Sequence, residues 1–163
     1  MSEPYEETID GSVLPRRAPG LEHERLVADL HALVSAALPP NSALQLLRPR
    51  TGLRLADDCL LRPDLVAVRA DAVGVATPYL VAEVLLPGDH HLDTFVKKHL
   101  WSDLRLPRLW MVDPRYLNIE VYGCGEYGFT LQDILANHHP LTDPHLPGLV
   151  CPIEEFFNPV RPR

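Results

Sequence analysis

Asp64 follows Pro63 at the head of the apolar run Leu65-Val66-Ala67-Val68, Glu83 interrupts the apolar stretch from Tyr79 to Leu86, and Lys97 lies about four helical turns beyond it. Two carboxylates and an ammonium are what metal-assisted phosphodiester cleavage would need. Hard oxygen ligands at Asp64 and Glu83 would hold Mg2+ or Mn2+ with several waters retained, and that metal would polarise a scissile phosphate. The Lys97 ammonium would orient the attacking water and stabilise charge as it develops. No covalent intermediate is required.

Each residue also has a plainer reading. Asp64 can be a turn or capping residue, since Pro63 fixes its own φ and biases Arg62 toward extended geometry. Glu83 inside an apolar strand is expensive unless paired, and Arg62 or Arg69 could pair it structurally. Lys97 and Lys98 are the only lysines, arginine filling the other basic positions. At about 100° per residue with Leu92 at zero, Lys97 falls near 140°, between Leu104 and Trp101, whereas Lys98 falls near 240° and faces solvent. A surface ion pair from Asp93 to Lys97 at i, i+4 is the alternative.

The elements that must position these residues follow from apolar spacing. Leu26, Val27, Leu30, Leu33, Val34, Ala37 and Leu38 form one face of a helix from Leu21 to Leu38, ended by Pro39-Pro40. Strand-like runs come next, at Ala43 to Leu47, Gly52 to Leu55, Leu65 to Val68 and Tyr79 to Leu85. Pro87-Gly88 breaks the last, and a helix from about His90 to Leu104 follows. Strands at Leu109 to Val112 and Ile119 to Tyr122 flank a turn at Asp113-Pro114. Gly123 to Gly128 reads as a hairpin turn, Phe129 to Leu135 as a short strand or helix, and Ile153 to Phe157 as a helical turn. The order predicts an α/β fold with a mixed sheet flanked by helices.

At 163 residues the chain is expected to be a single domain, 1–163, with residues 1–20 an irregular or short-stranded lead-in. A composition of 46% hydrophobic and 23% charged residues is globular, and no apolar run approaches the ~20 residues of a membrane span. Met1 to Asp10 is acidic without a signal-peptide core, so a cytoplasmic location is expected. The net charge of -7 argues against a protein that coats nucleic acid non-specifically, yet allows a local basic cleft. Cys59, Cys124 and Cys151 form no CxxC pair and read as reduced thiols. Histidine metal sites at His90, His91, Asp93 and His99, or at His138-His139, are disfavoured because adjacent histidines point apart. No GxSxG and no Gly-rich phosphate loop occurs.

At Arg62-Pro63-Asp64-Leu65-Val66, Glu83-Val84-Leu85-Leu86-Pro87, Asp93 with Lys97 and Trp101, and Leu106-Pro107-Arg108-Leu109-Trp110-Met111-Val112-Asp113-Pro114, the sequence resembles the Uma-type putative restriction endonuclease family of the PD-(D/E)xK nuclease superfamily. Ile9-Asp10-Gly11, Glu22-His23 and Leu146-Pro147-Gly148-Leu149 with Phe156 extend the resemblance over nearly the whole chain. It implies a restriction-endonuclease-like fold, Asp64 and Glu83 as metal ligands for Mg2+ or Mn2+, and Lys97 as a catalytic lysine moved from the strand position held by Leu85 onto the helix. Glu7 would be an additional acid. DNA is the implied substrate, and cutting both strands calls for two sites, which a homodimer would supply. The family's Ser-Pro-Ser/Thr segment is Leu86-Pro87-Gly88 here. A relative that keeps the fold as a DNA- or protein-binding module without cleaving is the other expectation.

Overall fold

The apolar period after Leu21 gives α1 (Leu21–Ala37), which buries Leu26, Val27, Leu30, Val34 and Ala37. It stops where Pro39 and Pro40 offer no N–H to continue it. The computed structural model describes residues 3–70, 76–88 and 91–158.

Ahead of α1, the lead-in contains β1 (Tyr5–Ile9) and β2 (Ser12–Arg16), paired antiparallel with Ile9 opposite Ser12. Asp10 and Gly11 between them have φ of 50° and 73°, as a two-residue hairpin turn of matching twist requires. A methyl group at Gly11 would meet nothing within 4 Å, so Gly11→Ala isolates the backbone strain. We expect a loss of about 1–2 kcal/mol in urea unfolding; an unchanged midpoint would show that the turn relaxes freely.

The strands after α1 are β3 (Leu44–Leu46), β4 (Leu53–Ala56), β5 (Cys59–Leu61), β6 (Leu65–Ala70) and β7 (Ala76–Val84). A π-helical segment, Leu92–Lys97, runs directly into α2 (Lys98–Asp103). Then come β8 (Arg108–Asp113), β9 (Asn118–Gly125), β10 (Gly128–Ala136), β11 (Pro140–Asp143), β12 (Leu146–Pro152) and α3 (Ile153–Phe157). The ambiguous segment from Phe129 to Leu135 is thus a strand. His90, where a helix was expected to begin, lies outside the described residues.

β10-β9-β8-β7-β6-β3 form the main sheet, β2-β1-β5-β4 a smaller one, and β11 pairs with β12. In the main sheet β7 and β8 run parallel and the other pairs antiparallel. Parallel neighbours need a crossover, and the π segment with α2 provides it. Alternate residues of β7 face two cores. Ala82 and Val84 join α1, α3 and β12, whereas Val81 and Leu85 join Trp101, Leu109, Met111 and the small sheet's Ile9 and Leu61. Glu83 falls between Val81 and Leu85 and so points to the second side. Among the described residues no helix is long and apolar enough to cross a membrane.

Candidate functional site

The crossover carries Lys97 back over the strand that holds Glu83, and the two form an ion pair at 2.6 Å, Lys97 Nζ to Glu83 Oε1. Glu7, delivered by the β1–β2 hairpin, places Oε1 3.1 Å from the same ammonium. Asp93 Oδ1 stands 3.8 Å away. All four are buried, Lys97 at 1% exposure. Lys97 thus takes the partner role that the sequence also allowed for Arg62 or Arg69. The Asp93–Lys97 pair is an interior contact and not a surface one.

Leu104 does not share the packed face with Lys97 as a regular 100° wheel predicts. Asp93, Lys97 and Trp101 form the buried stripe, and Leu104 lies outside it, 48% exposed. A π segment, with i→i+5 hydrogen bonds, turns less per residue than an α-helix and lines up residues four apart more closely. Lys97 is therefore at the centre of the packed face. Lys98 is half-buried, its ammonium 4.7 Å over the Tyr122 ring.

Arg16, at the end of β2, was not legible as a site residue. Its Nη2 donates to both Asp93 oxygens at 2.9 and 3.1 Å, and Nη1 stands 3.5 Å from Glu7 Oε2. Glu7 Oε1 also accepts from the Arg62 backbone N–H at 2.7 Å. Asp93 carries its signal in the four-residue spacing to Lys97 and Trp101. Arg16 had no such signal, because its contact with Asp93 spans 77 positions.

Asp64 is held by a separate set of partners. Leu65 pairs with Ala82 across β6 and β7, and just beyond that register Val84 N donates to Asp64 Oδ2 at 2.9 Å. His23, in the first turn of α1, sets Nε2 3.2 Å from the same oxygen and 3.1 Å from Val84 O. Asp64 Oδ1 is buried without a hydrogen-bond partner, the Arg50 Nε lying 3.5 Å away. Asp64 is thus held by Val84, His23 and Arg50 and not by Glu83 or Lys97, although the Lys97 charge still reaches it.

Electrostatics separate the two acids. Burial pushes Glu83 up to about 8; Lys97 pulls back, while Asp93, Asp64 and Glu7 add to the rise. Burial also acts on Asp64, yet hydrogen bonds from His23 and Val84 and the nearby Lys97 charge hold its carboxyl below the usual range. For Lys97, burial works against the charge, but Glu83, Glu7 and Asp93 outweigh it and raise its pKa. The three carboxylates around Lys97 thus favour holding an extra proton or a cation. A folded pKa raised from 4.5 to about 8 stabilises the fold fully below the unfolded value and loses that stabilisation as pH rises through 8. Stability should then fall by at most about 1.4 kcal/mol per pH unit from this group, and Glu83→Gln should flatten that slope in denaturation from pH 5 to 9. An equal slope in the variant would place the proton elsewhere.

Asp64 and Glu83 offer carboxylate oxygens of the kind a hard divalent cation takes, with Arg50 facing Asp64 Oδ1 and Lys97 facing Glu83 Oε1. Among the described residues no group of three or more His, Cys, Asp or Glu forms a ready metal cage. Unlike His23, three other histidines stand apart from this centre: His91 and His99 are exposed and flank Phe95, and His138 pairs with Glu154 at the surface.

A mixed sheet with a central acid-bearing strand and a lysine on its crossover is the α/β architecture of a restriction-endonuclease-like nuclease. A crystal structure of a putative nuclease belonging to DUF820 from Anabaena variabilis shares this fold, with a TM-score of 0.77, 15% identity, and coverage of 96% of this chain and 91% of that one. The family model described as Uma2, putative restriction endonuclease, matches residues 2–154, and the chain belongs to that family. Among curated proteins nothing matches.

Proposed function

We propose that the protein is a divalent-metal-dependent nuclease that hydrolyses DNA phosphodiester bonds. The observation that carries this reading is the buried Lys97 ammonium between Glu83 and Glu7, whose charge also reaches the buried Asp64. Asp64 and Glu83 would hold Mg2+ or Mn2+, which would polarise the phosphate and acidify a bound water. Lys97 stays protonated under the pull of three carboxylates, so it acts as a hydrogen-bond donor and positive charge and not as the base. Glu7 and Asp93 keep it aimed, and Arg16 in turn fixes Asp93. Water adds across the P–O bond: its oxygen joins phosphorus, and the departing oxygen takes up a proton.

The reading takes residues 1–163 as one domain, located in the cytoplasm, with a two-fold partner supplying the second centre for duplex cleavage. The test is cleavage of several DNA forms with Mg2+ or Mn2+ by wild type, Asp64→Asn and Lys97→Ala. Equal trace activity in all three rejects hydrolysis. A second reading, a non-cleaving relative that binds DNA or protein, is favoured by the closeness of Lys97 to Glu83 and by Leu86 and Gly88, which carry no hydroxyl to meet a phosphate. DNA retention by all three proteins without cleavage would establish binding without chemistry.

A further inference from the structure

We propose that the cavity between α2 and the start of β7 binds a small apolar molecule that carries a carboxylate. The cavity holds about 320 Å3, with Pro78, Leu104, Leu106 and Pro107 in its wall and Trp101 and Arg105 beside them. That volume lies at the small end of the range for ligand sites. It is remote from the cluster around Lys97: Thr77, on the cavity rim, stands about 20 Å along β7 from Glu83. The inference therefore does not depend on the nuclease reading.

Two observations go beyond apolar shape. The Trp101 side chain is 1% exposed, yet its Nε1 has no hydrogen-bond partner among the described residues. A buried donor left unpaired is costly, and an acceptor brought into the cavity that Trp101 lines would satisfy it. Arg105 supplies a fixed positive charge. Its backbone φ is 57°, a conformation glycine adopts with less strain, and its Nη1 donates to Gly125 O at 2.9 Å and Glu126 O at 3.2 Å. Both acceptors are neutral carbonyls, and among the described residues no carboxylate pairs with the guanidinium. A neutral acceptor would satisfy the indole alone; an anion answers both groups. The apolar body of such a ligand would cover Leu104, which is 48% exposed.

The test is 15N-edited NMR of the full chain titrated with 4-phenylbutyrate, read at the indole N–H signals of its two tryptophans and assigned through Trp101→Phe. Trp110, whose side chain packs in the other core, is the internal control. The Trp101 signal should move and saturate with a Kd on the order of 0.1–1 mM, as suits a ligand of about 12 non-hydrogen atoms, while the Trp110 signal stays in place. 4-Phenylbutanol, which keeps an acceptor without the charge, should bind about fivefold more weakly. Arg105→Gln should bring the two ligands within about twofold of each other. Thr77→Phe, which adds a ring at the exposed rim, should weaken both by at least about tenfold. The proposal is overturned if the Trp101 signal does not move, if Trp110 moves equally, if Arg105→Gln keeps the carboxylate preference, or if Thr77→Phe binds as wild type does.

Discussion

Lys97→Ala should cost about 3–5 kcal/mol of folding stability, the usual consequence of leaving buried carboxylates without their cation. Lys97 is 1% exposed, and Glu83, Glu7 and Asp93 all stand within 4 Å of its ammonium. Removal leaves Arg16 as the remaining close cation for Glu7 and Asp93, while Glu83 loses its 2.6 Å partner. The double variant Lys97→Met with Glu83→Gln replaces both charges and should recover much of the loss. Chemical denaturation of the two variants checks this. A Lys97→Ala protein as stable as wild type would mean that the four side chains are not clustered in solution.

Asp64→Asn has the second large effect, and its signature is a lost response to metal. For an ion binding only the folded state, wild type should gain about 2.7 kcal/mol when Mg2+ is present at 100 times its dissociation constant, and the variant close to nothing. DNA cleavage should fall on the order of 1,000-fold, since a Lewis acid supplies several kcal/mol of transition-state stabilisation. Both readings matter. A variant that loses cleavage and keeps the metal shift would move the ion away from Asp64.

The long periodic elements were legible in the sequence, and so was part of the centre. α1 and the apolar strands β6, β7 and β8 stood out because burial on one or both faces forces a pattern that a single chain displays. β5, β11 and β12 did not. β5 is only three residues long, and Pro140, Pro147 and Gly148 interrupt the alternation of the other two. Glu83 and Lys97 were found because a charge in an apolar run, or on an apolar helical face, contradicts its surroundings. Arg16 and His23 act across the fold, on Asp93 and Asp64, and nothing in their own neighbourhoods marks that reach. The π segment was invisible for a related reason: local spacing cannot distinguish a wider turn from a regular one, and only the alignment of Asp93, Lys97 and Trp101 reveals it.

The β1–β2 hairpin ties the charge balance of the centre to the docking of the small sheet. Glu7 and Arg16 reach Lys97 and Asp93 only after the small sheet has docked on the main one, and Arg16 and Asp93 lie 77 positions apart. Closing so long a loop is entropically costly and belongs to the slower part of assembly. A partly folded chain can bring Glu83 and Lys97 together through the local crossover, but without the hairpin Asp93 lacks its guanidinium and Lys97 lacks Glu7. Docking of the N-terminal strands therefore completes the charge balance at the centre.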